Sequence, residues 1–190
     1  MRAFLIVTIL LITAFPLIAQ ESPSQKPSGE AMQKALHEIR LKVLATSPSK
    51  IGRAPSEEYP HVDTIIMDWP VQDTIMSVMG SSAGDGSIYT SGAFGLLGGG
   101  KYENVRNAAK KFVKVGEKYY LEATPTEDFH YPQAGHVRFY FICYDGVRLI
   151  DTDIASLSNG KSKYSDLFVE GQKVIGELRQ AAQSQPKETH

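Results

Sequence analysis

Two short stretches carry residue patterns that can support chemistry. Gly80-Ser81-Ser82-Ala83-Gly84 matches G-x-S-x-G, the elbow that presents a nucleophilic serine between a strand and a helix. Asp128 and then His136 follow Ser82 in the order acid, base. Asp85-Gly86 and another strand-like run come next, however, where the elbow needs a helix. The segment therefore reads as a polar hairpin turn, with a Ser82 hydrolase as the enzymatic alternative. The second stretch, Gly95 to Lys101, fits the G-x-x-x-x-G-K start of a phosphate-binding loop. Tyr102 stands where the motif needs Ser or Thr to hold Mg²⁺, so nucleotide hydrolysis is not expected. A simpler role stays open, in which the amides of Gly98, Gly99 and Gly100 and the Lys101 ammonium hold an anion. The bland role for these glycines is tight turning and close packing.

Other groupings are weaker. Asp128, His130 and His136 are metal-ligating types, but the Pro- and Gly-containing segment between the histidines sets no ligand spacing, and no metal is expected. Asp151 and Asp153 share one side of a strand, which is the ordinary pattern of a solvated strand end. Arg106, Lys110, Lys114 and Lys118 recur every four residues and form a basic helix stripe. That stripe is either a solvated face or a local attraction to an anionic envelope component. No cofactor is expected.

The elements that position these groups follow from hydrophobic periodicity. An amphipathic helix is expected over Glu30 to Ala45, and an extended connection with Pro48, Pro55 and Pro60 follows. Thr64 to Trp69 and Thr74 to Met79 form a hairpin, and Ser87 to Ser91 is a third strand. A helix over Glu103 to Tyr120 carries Val105, Ala108, Ala109, Phe112, Val113 and Tyr119 on one stripe. Val137 to Tyr144 and Val147 to Thr152 flank Asp145-Gly146, the strongest hairpin signal in the chain. A last helix runs from Ser165 to about Ala182. The expected fold is α+β, an antiparallel sheet of about five strands with helices packed on one face. Its element order is like that of profilin or roadblock domains, and order alone carries no function. Val137 to Tyr144 is apolar on both faces. If one sheet face is bare, Tyr140, Ile142 and Tyr144 mark an interaction surface for a protein partner or a second copy; the alternative is a sheet covered on both sides.

The chain has 190 residues, 20 basic and 21 acidic side chains and a formal charge of −1, with 42% hydrophobic residues. This is globular composition, and near-neutrality removes the footprint of a nucleic-acid binder. Met1-Arg2-Ala3, the apolar run from Phe4, and Pro16 to Ala19 have the order of a secretory signal peptide, with cleavage after Ala19. An uncleaved anchor is the alternative. Phe4 to Ala19 is 16 residues, short of the roughly 20 that span a bilayer, and no span is expected after cleavage. Residues 20–29 read as a flexible spacer, 30–182 as one α+β domain and 183–190 as a polar tail. Periplasmic or secreted location follows. The single cysteine, Cys143, excludes an internal disulfide and sits in an apolar run as a buried, inert thiol.

Gly86 to Gly92, Gly98 to Gly100, Val105 to Ala109, Gly135 to Tyr140 and Asp145 to Val147 together resemble an uncharacterised group of small bacterial domains, over about Ile65 to Leu149. The resemblance implies that the glycine loop and both hairpins belong to one domain. It supplies no activity and no catalytic residues. The expected function is a non-catalytic binding or interaction module.

Overall fold

The computed structural model of the protein describes residues 28–184. The expected export signal, most of the spacer and most of the polar tail lie outside the described residues. Of the spacer, Ser28 caps the first helix and Gly29 begins it. This helix, α1 (Gly29–Ala45), starts where the Ser28 hydroxyl accepts the Ala31 amide at 3.3 Å. Glu30 in the first turn and Lys42 in the last suit the helix dipole.

The fold is α+β. Its strands are β1 (Val62–Val71), β2 (Thr74–Ser81), β3 (Gly86–Thr90), β4 (Gly95–Leu96), β5 (Thr124–Pro125), β6 (His136–Cys143) and β7 (Gly146–Asp153). They form one antiparallel sheet in the order β4-β3-β2-β1-β6-β7-β5. The expectation of about five strands is corrected to seven among the described residues. The two additions, β4 and β5, are two residues each and lie where no strand was expected, because two residues are too few to show a period. Three further helices are α2 (Glu103–Gly116), α3 (Ile154–Ser158) and α4 (Ser165–Gln183). The short α3 was not anticipated; its sequence signal is Asp153, whose carboxylate accepts the Ser156 amide at 2.7 Å.

Strand alternation sorts side chains onto two faces. One face carries Ile65 and Met67 of β1, Val78 of β2, Ile88 of β3 and Val137, Phe139 and Phe141 of β6, all fully buried. The helices α2 and α4 cover it. The approach is close: a Cβ on Gly171 would lie 2.7 Å from Met67 Cε, and one on Gly116 would overlap Ile65 Cδ1. The other face is mixed. Register places Ser77 and Arg138 on either side of Asp68, Met79 and Tyr140 beside Ile66, and Ser81 and Ile142 beside Thr64.

That second face is not bare. The helix α1 and the segment around Phe129 cover it, burying Tyr140 and Ile142 and leaving Tyr144 half-buried. This corrects the expectation of helices on one face and agrees with the alternative of a sheet covered on both sides; Tyr140 and Ile142 are core residues and mark no exposed interaction surface. Helical spacing had identified α1, but not which face of the sheet it covers.

Candidate functional site

The α1 face is held by a polar cluster at its centre. Arg40, from the middle of α1, is fully buried and places its guanidinium on the equally buried Asp68 carboxylate. Its Nε donates to both Asp68 oxygens at 3.2 and 3.1 Å, and Nη2 donates to Oδ2. Ser77 donates its hydroxyl to Asp68 Oδ1 at 2.6 Å. Arg40 Nη1 donates to the Phe129 carbonyl at 2.9 Å, and the guanidinium lies 4.4 Å from the Tyr131 ring centroid. Burial pushes the Asp68 carboxyl up, while Arg40 and Ser77 pull it down. Sequence reasoning missed this pair. The available signal was one carboxylate in the apolar run Thr64 to Trp69; the partner, 28 residues away, was not legible.

Around this anchor α1 is narrow. Its buried residues, Leu36, Arg40 and Leu44, are spaced by four and form a single row. An ordinary core-facing helix buries a stripe at least about 100° wide, as α2 does with Val105, Ala109, Phe112 and Val113. A helix that fully buries only one row leaves space on each side, where Ile39 and Val43 pack against the core only in part. On the β2 side lies a depression of about 250 Å³, bordered by Ile39 and Val43 of α1, Met79 and Ile142 of the sheet, and Ile51 of the connection. On the β7 side lies an open groove of about 740 Å³ along Leu44, Phe129, Val147 and Arg148. The two meet at Thr46 and Ile142.

The smaller depression ends at a second polar set, centred on the buried Asp63. Ser82 donates its hydroxyl to Asp63 Oδ1 at 2.8 Å. Arg53 Nη1 and the Thr64 hydroxyl each donate to Oδ2 at 2.8 Å. Arg53 also reaches Asp85 at 2.9 Å. Ser82 lies in the turn between β2 and β3, as its local sequence predicted. Its hydroxyl is oriented toward a carboxylate already paired with arginine, and no histidine belongs to this set. Asp128 and His136 lie elsewhere, in a network around Arg138. Arg138 donates to Asp128 at 3.2 Å and to Asp151 at 2.9 Å. His130 and His136 face Asp128 and Asp151 at 2.5 and 2.6 Å. The His130 amide and ring hold the Asp128 carboxyl down at about 2, with Arg138 assisting.

The structure gives the other sequence-predicted residues their places. Gly98 adopts the left-handed conformation at φ 71°, and Gly99 and Gly100 lead into α2. A Cβ on Gly99 would lie 2.8 Å from Val105 and 2.9 Å from the Gly86 carbonyl, and one on Gly100 would lie 2.6 Å from Asp85 Oδ1. Close packing therefore accounts for these glycines, with a carboxylate beside the loop. Lys101 is exposed, its ammonium 5.0 Å from the Tyr102 ring. Of the basic stripe, Arg106 donates to the Gly100 and Lys101 carbonyls, Lys114 to the Glu58 carbonyl and Lys118 to Asp166, while Lys110 is exposed. Cys143 is buried, and burial pushes its thiol up to about 12. Among the described residues no cluster of three or more His, Cys, Asp or Glu side chains is arranged to hold a metal ion. No described helix is long and apolar enough to cross a membrane.

No family model, curated protein or solved structure matches the chain.

Proposed function

We propose that this chain is an exported, non-catalytic binding module that takes its ligand on the α1 face of the sheet. Export rests on the charged, apolar and small-residue order of residues 1–19. The observation that carries the binding reading is the pair of depressions meeting beneath the last turn of α1. Binding sites are concave, mostly apolar and edged by a few fixed polar groups, which is the character of this face. The hydroxyl and thiol most suited to nucleophilic chemistry are engaged otherwise: Ser82 with Asp63, and Cys143 within the core.

A thermal-shift panel on the purified chain tests the proposal. It includes nucleotides with Mg²⁺, inorganic phosphate, divalent metals, anionic glycans and alkyl amphiphiles. A native-state ligand at about 100 times its Kd adds about 2.7 kcal/mol. For a chain of this size that raises Tm by roughly 5–10 °C. Stabilisation that is lost when Val43→Arg blocks the α1 side supports the reading. Stabilisation by phosphate that Lys101→Glu abolishes would move the site to the glycine loop. An esterase activity lost in Ser82→Ala would replace the binding reading with a hydrolase.

A further inference from the structure

We infer that the 250 Å³ depression between α1 and the sheet is a bay for a single hydrocarbon chain bearing an anionic head, with the chain on Met79 and Ile142 and the head at Lys42. This rests on the binding-module reading and names its ligand class. The lining is the first observation. Ile39 and Val43 are one helical turn apart, face the bay and are only half-buried. Ile51 at the rim is 55% exposed, although large apolar residues are usually covered. An occupant that buries these three side chains gains apolar contact that the protein alone leaves unmade.

The volume selects a slender group. It equals roughly eight water-sized volumes, and a methylene needs a similar space, so about eight carbons fill it. The polar groups argue against a sugar or nucleotide, which needs several unsatisfied donors and acceptors. Here both Asp63 oxygens are used by Ser82, Arg53 and Thr64. The Ser81 hydroxyl accepts the Asp85 amide at 3.0 Å, and Thr46 donates to the Lys42 carbonyl at 2.6 Å. Of the three charged residues lining the bay, Arg53 and Asp63 are ion-paired with each other. Lys42 is exposed and has no ion-pair or hydrogen-bond partner for its ammonium among the described residues. It is the charge left to meet a head group, and its sign selects an anion.

Isothermal titration of the purified chain with hexanoate, heptanoate, octanoate, decanoate and octylammonium, below their micelle concentrations, tests the assignment. The expected result is saturable 1:1 binding that tightens about three- to fourfold per methylene up to about eight carbons, then levels off. Octanoate binds more tightly than octylammonium, and Lys42→Glu reverses that order. Val43→Trp adds seven side-chain atoms, takes up most of the bay and removes octanoate binding; an unchanged urea midpoint shows that this variant is folded. Affinity that ignores chain length, or octanoate binding that survives Val43→Trp, overturns the bay. Equal affinity for the two head groups overturns the role of Lys42. If no alkyl compound binds while another class in the thermal panel stabilises the chain, this ligand assignment fails and the binding-module reading stands.

Discussion

Replacing Arg40 by methionine keeps an unbranched side chain in α1 and removes the guanidinium. The Asp68 carboxylate, which is fully buried, then keeps the Ser77 hydroxyl at 2.6 Å as its hydrogen-bond donor and the weaker attraction of Arg138 on the neighbouring strand. Breaking a buried ion pair from one side typically costs about 3–5 kcal/mol, because the remaining charge stays desolvated. The Phe129 carbonyl also loses its donor, but it sits at a partly buried position where water can replace part of that bond. A loss of about 4 kcal/mol is expected, a Tm drop of roughly 10–15 °C. Urea denaturation measures it. The companion variant Arg40→Met/Asp68→Leu/Ser77→Ala removes the charge and the hydroxyl that served it. Buried pairs replaced as a set by apolar groups are often neutral, so the triple variant is expected to recover most of the loss. A cost below about 1 kcal/mol for Arg40→Met, or a triple variant no better than the single one, would refute the claim that this pair seats α1.

Three further outcomes are expected. Gly116→Ala pits helix propensity, a gain of about 1 kcal/mol, against overlap of the new methyl with Ile65 Cδ1 and a 3.3 Å approach to Phe141. The overlap wins, with a net loss of about 1–2 kcal/mol; a raised urea midpoint would show that α2 does not approach β1 so closely. Cys143, with its thiol pushed up to about 12, is neutral at pH 8 and buried, so labelling by a thiol reagent should accelerate with urea in step with unfolding. Labelling in native buffer at the rate of a free thiol would contradict this. Asp128, held at about 2 by His130 and then Arg138, is depressed below an unfolded value near 4. Its contribution is present above about pH 4 and lost as pH falls toward 2, and Asp128→Asn removes this acid-range loss. Carboxyl titration by NMR with a midpoint near 4 would reject it.

Local patterns carried the elements well where they extended over several residues. The double-apolar run Val137 to Tyr144 and the Asp145-Gly146 signal locate β6, β7 and their hairpin, but the turn lies one residue earlier than expected: Tyr144 and Asp145 form it, without positive φ, and Gly146, at φ 135°, opens β7 opposite Cys143. The Ser82 turn was legible for the same reason: Asp-Gly follows it where an elbow would need a helix. Long-range pairing was not legible. Asp68 acquires its meaning from Ser77 and Arg138 across the ladder and from Arg40 above it, and three different register or packing relations must hold before those four residues meet. The same limit hid the candidate site. Ile39 and Val43 have the spacing of ordinary core positions, and only the seating of α1 on a single row leaves them facing a depression.

That seating couples the site to its cover. Leu36, Arg40 and Leu44 hold α1 along one line, while Ile39 and Val43 from the same helix form the roof of the bay. A ligand that contacts both the roof and the Met79–Ile142 floor binds only when α1 is seated. Binding and seating must therefore reinforce each other, since a ligand can stabilise only the state it contacts. Hydrogen exchange of the α1 amides reports the seating directly. Saturating octanoate should slow exchange across Ile39 to Leu44, including through local openings of α1, and slow α2 amides only to the extent that they exchange through global unfolding. Arg40→Met should weaken octanoate in proportion to the fraction of molecules in which α1 remains docked, because apparent Kd is the intrinsic value divided by the competent fraction. The triple variant should restore both exchange protection and affinity. Restored stability and exchange protection with affinity still lost would refute the coupling of seating to binding, because Arg40 does not line the bay.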